Sequence, residues 1–401
     1  MDTIAGYTVL EQINQGERTA IYRVQNPQNK QTFVLKLPAS NYPSVRDNAR
    51  LRHEYIIAKN LTAVEGVVHV YALQHAGNGL ALVQEDFGAM SLDAFMEGRP
   101  LPIAQFLEIA LQLVRVLQAL HLKNIIHKDL KPQNIIIDPD TLEVRLTDFG
   151  IATQLSQESQ TVRNVQTFEG SPAYASPEQS GRMNRTLDYR SDFYSLGVTF
   201  YEMLTGDVPF KANNFLEVIH AHIARRPLSP TAINPTVPPL LADITLKLMA
   251  KTAEERYQSA YGLLSDLATC QQQWQQHGRI EPFPLAQNDL ADHFRIPQKL
   301  YGRAAEIEQL ITAFEQVANG HQLLMIVTGQ GGIGKSALVH EVHKPIVQQR
   351  GYYIEGKFDQ LARNIPFNAL IQAFAELVRQ LLTESQTEIT VWKTKLLDAL
   401  G

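Results

Sequence analysis

Apolar residues in the first eighty or so positions fall into short runs of extended-chain character, and the pattern changes after residue 103. The runs at 7–13, 20–24, 32–37 and 80–83 are rich in aliphatic, aromatic and β-branched residues and predict strands. One helical stretch, 48–61, interrupts them. Beyond that, Ile103, Phe106, Leu107, Ala110, Leu113, Val114, Leu117 and Leu120 recur at helical spacing, which predicts a buried helix. Further helices are expected near 192–204, 214–224, 240–250 and 260–273. A strand-rich half followed by a helix-rich half implies two lobes with a cleft between them.

A glutamine-rich end at 271–276 and a proline-containing stretch at 280–297 read as a linker. A helix is expected at 304–318, then a buried apolar strand at 323–327 that runs into a glycine loop and another helix. That order predicts the start of an α/β nucleotide-binding domain. The expected division is 1–275, a linker at 276–300, and 301–401. No internal repeat is visible.

A chain of 401 residues, 44% hydrophobic and 19% charged, suits two or three globular domains. The net charge of −5 offers no polybasic footprint, so nucleic acid is not an expected partner. A single cysteine, Cys270, excludes an internal disulfide framework and suits a reducing compartment; it reads as a small buried hydrophobe. Residues 1–10 lack a basic stretch followed by an apolar core, and the purest apolar run, 323–327, is too short to span a bilayer. A cytoplasmic chain with no membrane partner is expected.

The chemistry concentrates in His127-Lys128-Asp129-Leu130-Lys131-Pro132-Gln133-Asn134 and in Asp148-Phe149-Gly150. The first supplies a proton-accepting carboxylate, an ammonium and an amide; the second supplies a metal-binding carboxylate. These are parts that phosphoryl transfer from ATP needs, in the order and spacing that protein kinases use. Residues 7–275 thus resemble a Ser/Thr protein kinase catalytic domain of bacterial type. The resemblance implies an α+β bilobal fold, ATP and Mg²⁺, and a protein substrate bearing serine or threonine.

It also implies roles. Asp129 would accept or orient the substrate hydroxyl proton, and Lys131 would neutralise the transferring phosphate. Asn134 and Asp148 would hold magnesium, which prefers hard oxygen ligands. Lys36 would reach the α/β-phosphates with Glu54 fixing its position. Gly16, Ile21 and Val34 would line the nucleotide site, Gln84 would guard its back, and main-chain groups of Glu85 and Phe87 would bond adenine. Glu178 would form a buried ion pair with Arg256, Asp192 would buttress the catalytic loop, and His127 would have a packing role.

Three positions depart from the family. The glycine loop keeps only Gly16 of its three glycines, with Asn14 and Thr19 at the others. Val34 replaces an alanine above adenine. Lys128 replaces an arginine that grips a phosphorylated activation loop, and lysine offers only a point charge. Activity is therefore expected to survive Thr167→Ala, a change at the expected activation-loop site; loss of phosphotransfer in that variant would overturn the expectation.

A second site follows. Gly329-Gln330-Gly331-Gly332-Ile333-Gly334-Lys335-Ser336 satisfies the phosphate-loop pattern, with Gly329 and Gly334 shaping the cradle, Lys335 for β/γ-phosphates and Ser336 for magnesium. Pro345 is expected to kink the helix that follows. Residues from 301, including Tyr301-Gly302-Arg303, resemble the opening of an AAA-type regulatory ATPase. No acidic strand end of the second ATPase motif appears before Gly401, so the chain is expected to be the N-terminal part of a larger signalling protein with sensor and histidine-kinase modules. His340-Glu341-Val342-His343 lacks the spacing for zinc. The competing expectation is a pseudokinase scaffold whose switch is the second domain.

Overall fold

A computed structural model describes residues 3–16, 18–88, 90–154, 170–180, 187–212, 215–290, 302–330, 333–340, 354–356, 358, 367–381 and 386–400. Thr167, Tyr301, Gly331, Gly332, Glu341, Val342, His343 and Pro345 lie outside them. The chain forms two compact units: residues 1–181, 185–211 and 227–296 make the first, and 182–184, 212–226 and 297–401 the second.

The first unit opens with a six-stranded antiparallel sheet in the order β1-β2-β3-β4-β6-β5. Its strands are β1 (Thr3–Ile4), β2 (Tyr7–Gln15), β3 (Thr19–Gln25), β4 (Thr32–Pro38), β5 (Val70–Ala76) and β6 (Gly79–Glu85). Val24, Phe33, Leu35, Leu37, Ala81 and Val83 form a small core on one face. Helix α1 (Val45–Lys59) starts at a capping box, where Ser44 Oγ accepts from Asp47 N at 3.2 Å and Asp47 accepts from Ser44 N at 3.0 Å.

The second half is helical. After β7 (Met90–Ser91) and α2 (Leu92–Met96), α3 (Ile103–Leu122) runs through the main core, with every position of its apolar stripe buried. By length and composition α3 could cross a membrane, yet here its apolar face packs within the lobe, against α4 (Arg190–Thr205) and α8 (Ala260–His277). Short strands β8 (Ile125–Ile126), β9 (Ile135–Ile137), β10 (Val144–Leu146) and β11 (Thr153–Gln154) frame the loops between α3 and α4. Helices α5 (Phe215–Ala224), α6 (Pro230–Ile233) and α7 (Pro239–Leu248) follow, of which α5 groups with the second unit.

The stretch expected to be a linker differs. Helix α8 continues to His277, where Gly278 takes a left-handed φ of 63° and ends it. Residues 280–290 then lie back along the helix as a strap. Ile280, Phe283, Leu285 and Ala286 pack on the core, and Ala286 N donates to Asp266 at 2.8 Å. Asp289 caps the start of α8, accepting from Gln258 N at 2.7 Å, Ser259 N at 2.8 Å and Ser259 Oγ at 2.9 Å. Gly262 makes room for it, since a Cβ there would lie 2.5 Å from Asp289 Oδ1. Asp289→Ala should lower stability by about 1–2 kcal/mol, as loss of a helix cap does; an unchanged denaturation midpoint would refute the capping role.

In the second unit, α9 (Ala304–Ala318) has the expected bounds, and α10 (Lys335–His340) opens at the phosphate-loop lysine. Two further helices span Asn368–Leu381 and Gln386–Leu400. The expectation of a buried strand at 323–327 needs correction. The segment is irregular, with Leu324 85% and Ile326 78% exposed. A parallel strand is buried only between paired neighbours, and among the described residues no strand pairs with it.

Candidate active site

Lys36, near the end of β4, is brought to Glu54 on α1 and to Asp148. Its Nζ donates to both Glu54 oxygens at 2.9 and 2.8 Å and to Asp148 Oδ1 at 2.8 Å. All three ammonium donors are therefore engaged. Burial alone would push the Lys36 ammonium down, but the charges of Asp148 and Glu54 reverse this and hold it above its ordinary value. Burial likewise opposes ionisation of Asp148, and Lys36 overrides it, so the carboxyl sits well below the usual range. For Glu54 burial prevails and its carboxyl is pushed up.

The second cluster lies on the loop between β8 and β9. Asp129 Oδ2 accepts from Lys131 Nζ at 2.8 Å and from Asn134 Nδ2 at 3.1 Å, while Oδ1 accepts from Ser171 N at 2.8 Å. Lys131 also reaches Ser171 Oγ at 2.5 Å. Asn134 Nδ2 further donates to Asp129 O at 2.8 Å, so its amide oxygen is the end left for a ligand. Thr147 N donates to Asn134 O at 3.0 Å, which ties this loop to the residue just before Asp148.

Two residues here carry left-handed backbone, Lys128 at φ 68° and Asp148 at φ 65°. Such conformations are costly for residues other than glycine and persist where neighbours enforce them. Lys128 is held at both peptide groups: its N donates to Asp192 Oδ1 at 2.9 Å and its carbonyl accepts from Gln179 at 2.7 Å. Asp192 also accepts from His127 N at 3.0 Å and His121 Nε2 at 2.9 Å. Burial would raise its carboxyl, but these donors hold it below its ordinary value. His127 donates from Nε2 to Thr147 O at 3.0 Å and accepts at Nδ1 from Asp129 N at 3.3 Å, a structural role.

The remaining nucleotide-site candidates fall on one sheet region. Ile21 lies opposite Lys36 in the β3–β4 register, and Val34 is two residues along the same face. Gly16 closes the β2–β3 turn, its N donating to Thr19 O at 2.9 Å. Gln84 and Glu85 end β6, with Gln84 buried opposite Val34; Phe87 follows. In the second unit, Lys335 Nζ donates to the carbonyls of Gly329 and Gln330 at 2.9 and 2.7 Å, curling back on its own loop. Gly329 and Gly334 flank that loop with Ser336 at the helix start.

Sequence reasoning missed Ser171, Arg50, His53 and Arg145. Arg50 lies against Gly150, where a Cβ would be 2.9 Å from its Nε, and His53 Nε2 donates to Ala152 O at 2.7 Å. Each acts on residues far away in sequence, so no local motif marks it. The Glu178–Arg256 pair was anticipated from sequence: two bonds of 2.7 and 2.9 Å join buried side chains.

The donor set fits magnesium. Asp148 Oδ2 and the Asn134 amide oxygen are hard oxygens, and Mg²⁺ takes one or two protein oxygens plus phosphate and water. Among the described residues no cluster of three His, Cys, Asp or Glu offers a rival metal site.

Residues 7–272 match the family model "Protein kinase domain" and residues 299–401 match "AAA ATPase domain". The chain is 29% identical over 75% of its length to "Hybrid signal transduction histidine kinase G" of Dictyostelium discoideum, covering 11% of that protein. It is 30% identical over 66% of its length to "Serine/threonine-protein kinase PrkC" of Bacillus subtilis, covering 40% of it. It is also 30% identical over 66% of its length to "Probable serine/threonine-protein kinase PknB" of Lactococcus lactis, covering 42% of it. The chain thus spans less than half the length of these curated relatives.

Proposed function

The chain belongs to the protein kinase family, and we propose that it is an active enzyme transferring the γ-phosphoryl group of ATP to a serine or threonine hydroxyl of a protein. One observation carries this reading: the Lys36–Glu54–Asp148 cluster and the Asp129–Lys131–Asn134 cluster are both fully assembled.

The chemistry follows from these groups. Asp129 is held in place at both oxygens by donors and would accept from an incoming hydroxyl; positioning is most of what phosphoryl transfer requires. The hydroxyl oxygen bonds to phosphorus, the bond to the ADP oxygen breaks, and the hydroxyl proton passes to Asp129. Lys131, bridging Asp129 and Ser171, stands where negative charge on the transferring group needs a cation. Lys36 has no donor to spare, so contact with a phosphate replaces its bond to Asp148 and frees that carboxylate. Magnesium, held by Asp148 and Asn134, would supply neutralisation of the phosphate charge.

Serine/threonine specificity is supported by Lys131 in Asp-Leu-Lys-Pro-Gln-Asn and by the named relatives. The second domain is proposed as a nucleotide-responsive regulator, supported by its match and by Gly329, Gly334, Lys335 and Ser336. A cytoplasmic setting is proposed from the single cysteine, Cys270, which suits a reducing compartment.

One observation favours a scaffold instead: Asn14 and Thr19 stand where glycines would let the loop close over phosphates. The test is transfer of γ-labelled phosphate by the full chain to a serine/threonine-rich protein, with and without magnesium. Label incorporated only with magnesium supports the enzyme; ATP binding without any incorporation supports the scaffold.

A further inference from the structure

Arg145, on β10, is joined to the segment proposed to bond adenine. Its Nη1 donates to Glu85 Oε2 at 2.5 Å, and its guanidinium lies over the Phe87 ring, 4.1 Å from the centroid. Nε and Nη2 are fixed by Glu143 Oε1 at 3.1 and 2.9 Å. A planar cation can pair with a carboxylate and stack on a ring together; an ammonium cannot. Burial would lower the Arg145 pKa, yet the bonds to Glu85 and Glu143 hold it raised.

The other side of the same segment is anchored too. Asp86 pairs with Arg23 of β3 at 3.1 Å, and Glu85 N donates to His69 O at 2.9 Å. Arg145 differs from Arg23 in where its strand leads. Three residues on lies Asp148, and β10 is tied by Leu146 N to Gly66 O at 2.7 Å and by Val68 N to Leu146 O at 3.0 Å. One short strand therefore fixes both the adenine-facing segment and the carboxylate at the phosphate end.

Resting on the kinase reading above, we infer that Arg145 is a positioning residue for the nucleotide. It holds Glu85–Phe87 at a set distance from Asp148, so that adenine and phosphates are met by a preformed site. Preorganisation of this kind strengthens binding by reducing what must be ordered when ligand arrives. It does not touch the transferring group, so its effect falls on affinity and not on turnover.

The test uses the full chain and measures Kd for Mg-ATP by calorimetry beside KM, kcat and the melting temperature. Arg145→Met keeps the stem and removes the planar cation. It should raise Kd and KM about tenfold, which is about 1.4 kcal/mol, with kcat and melting temperature near wild type. Arg145→Lys should recover only part of the loss. Glu85→Gln should raise Kd as well, and the double variant should be no worse than the weaker single one, because both break one contact. Unchanged Kd in Arg145→Met, or a fall in kcat and melting temperature together, would overturn the inference. A wild-type chain that binds ATP without phosphotransfer would sink the kinase activity while Kd still judges Arg145. Absence of ATP binding would end both.

Discussion

Asp129→Asn should lower kcat by about 10³-fold, within the usual range for removing a general base, and leave KM for ATP near wild type. The substitution keeps the shape, so an amide oxygen can still accept from Ser171 N. What goes is the negative charge between Lys131, Asn134 and the incoming hydroxyl. Lys131 keeps Ser171 Oγ as a partner, so the loop should hold its conformation. The measurement is single-turnover phosphotransfer by the full chain beside calorimetric ATP binding. A tenfold weaker Kd with undiminished kcat would mean that Asp129 organises the nucleotide and not the acceptor, and the proposed role would fall.

The second large effect concerns stability. Arg256→Met should cost about 3–5 kcal/mol, because it leaves Glu178 buried without its cation. That is a large share of a domain's usual 5–15 kcal/mol. Arg256 is among the largest fully buried side chains, with Glu178 at 2.7 Å, Ala250 O at 2.8 Å and Arg190 O at 2.8 Å. Burial would raise the Glu178 carboxyl, but Arg256 lowers it to about 2. The folded state therefore binds fewer protons than the unfolded one between about 4.5 and 2. The pair's contribution is complete above pH 4.5 and is lost as pH falls through 2. Urea unfolding at neutral pH should show a lower midpoint at unchanged slope for Arg256→Met, with the double variant Arg256→Met, Glu178→Gln recovering part of the loss. A midpoint within experimental scatter of wild type would show that water reaches Glu178 and that the pair is not needed.

What could be read from the sequence followed the range of each interaction. Strands β2, β3, β4 and β6, the last an apolar run buried on both faces, and helices α3, α4 and α8 carry a pattern long enough to be visible. Strand β5 does not, because a register shift between Val70 and Ala72 breaks its alternation. Strands β9 and β10 are three residues each, too short for any period to emerge. The residues of the two catalytic segments were legible because their spacing is itself the motif. Ser171, His53 and Arg145 were not, since their partners lie 40, 99 and 60 residues away. The apolar run at 323–327 misled for a related reason: composition marks what could be buried, while pairing decides what is.

The strap along α8 bears on where this protein can be cut. The family match stops at residue 272, which invites truncation there. Trimming to that point would remove Asp289 and bare the amides of Gln258 and Ser259, two and three residues past Arg256. It would also strip Phe283 and Leu285 from the core they cover. A fragment meant to behave like the parent should therefore end no earlier than 290, and poor solubility of a shorter one would say nothing about whether the enzyme works.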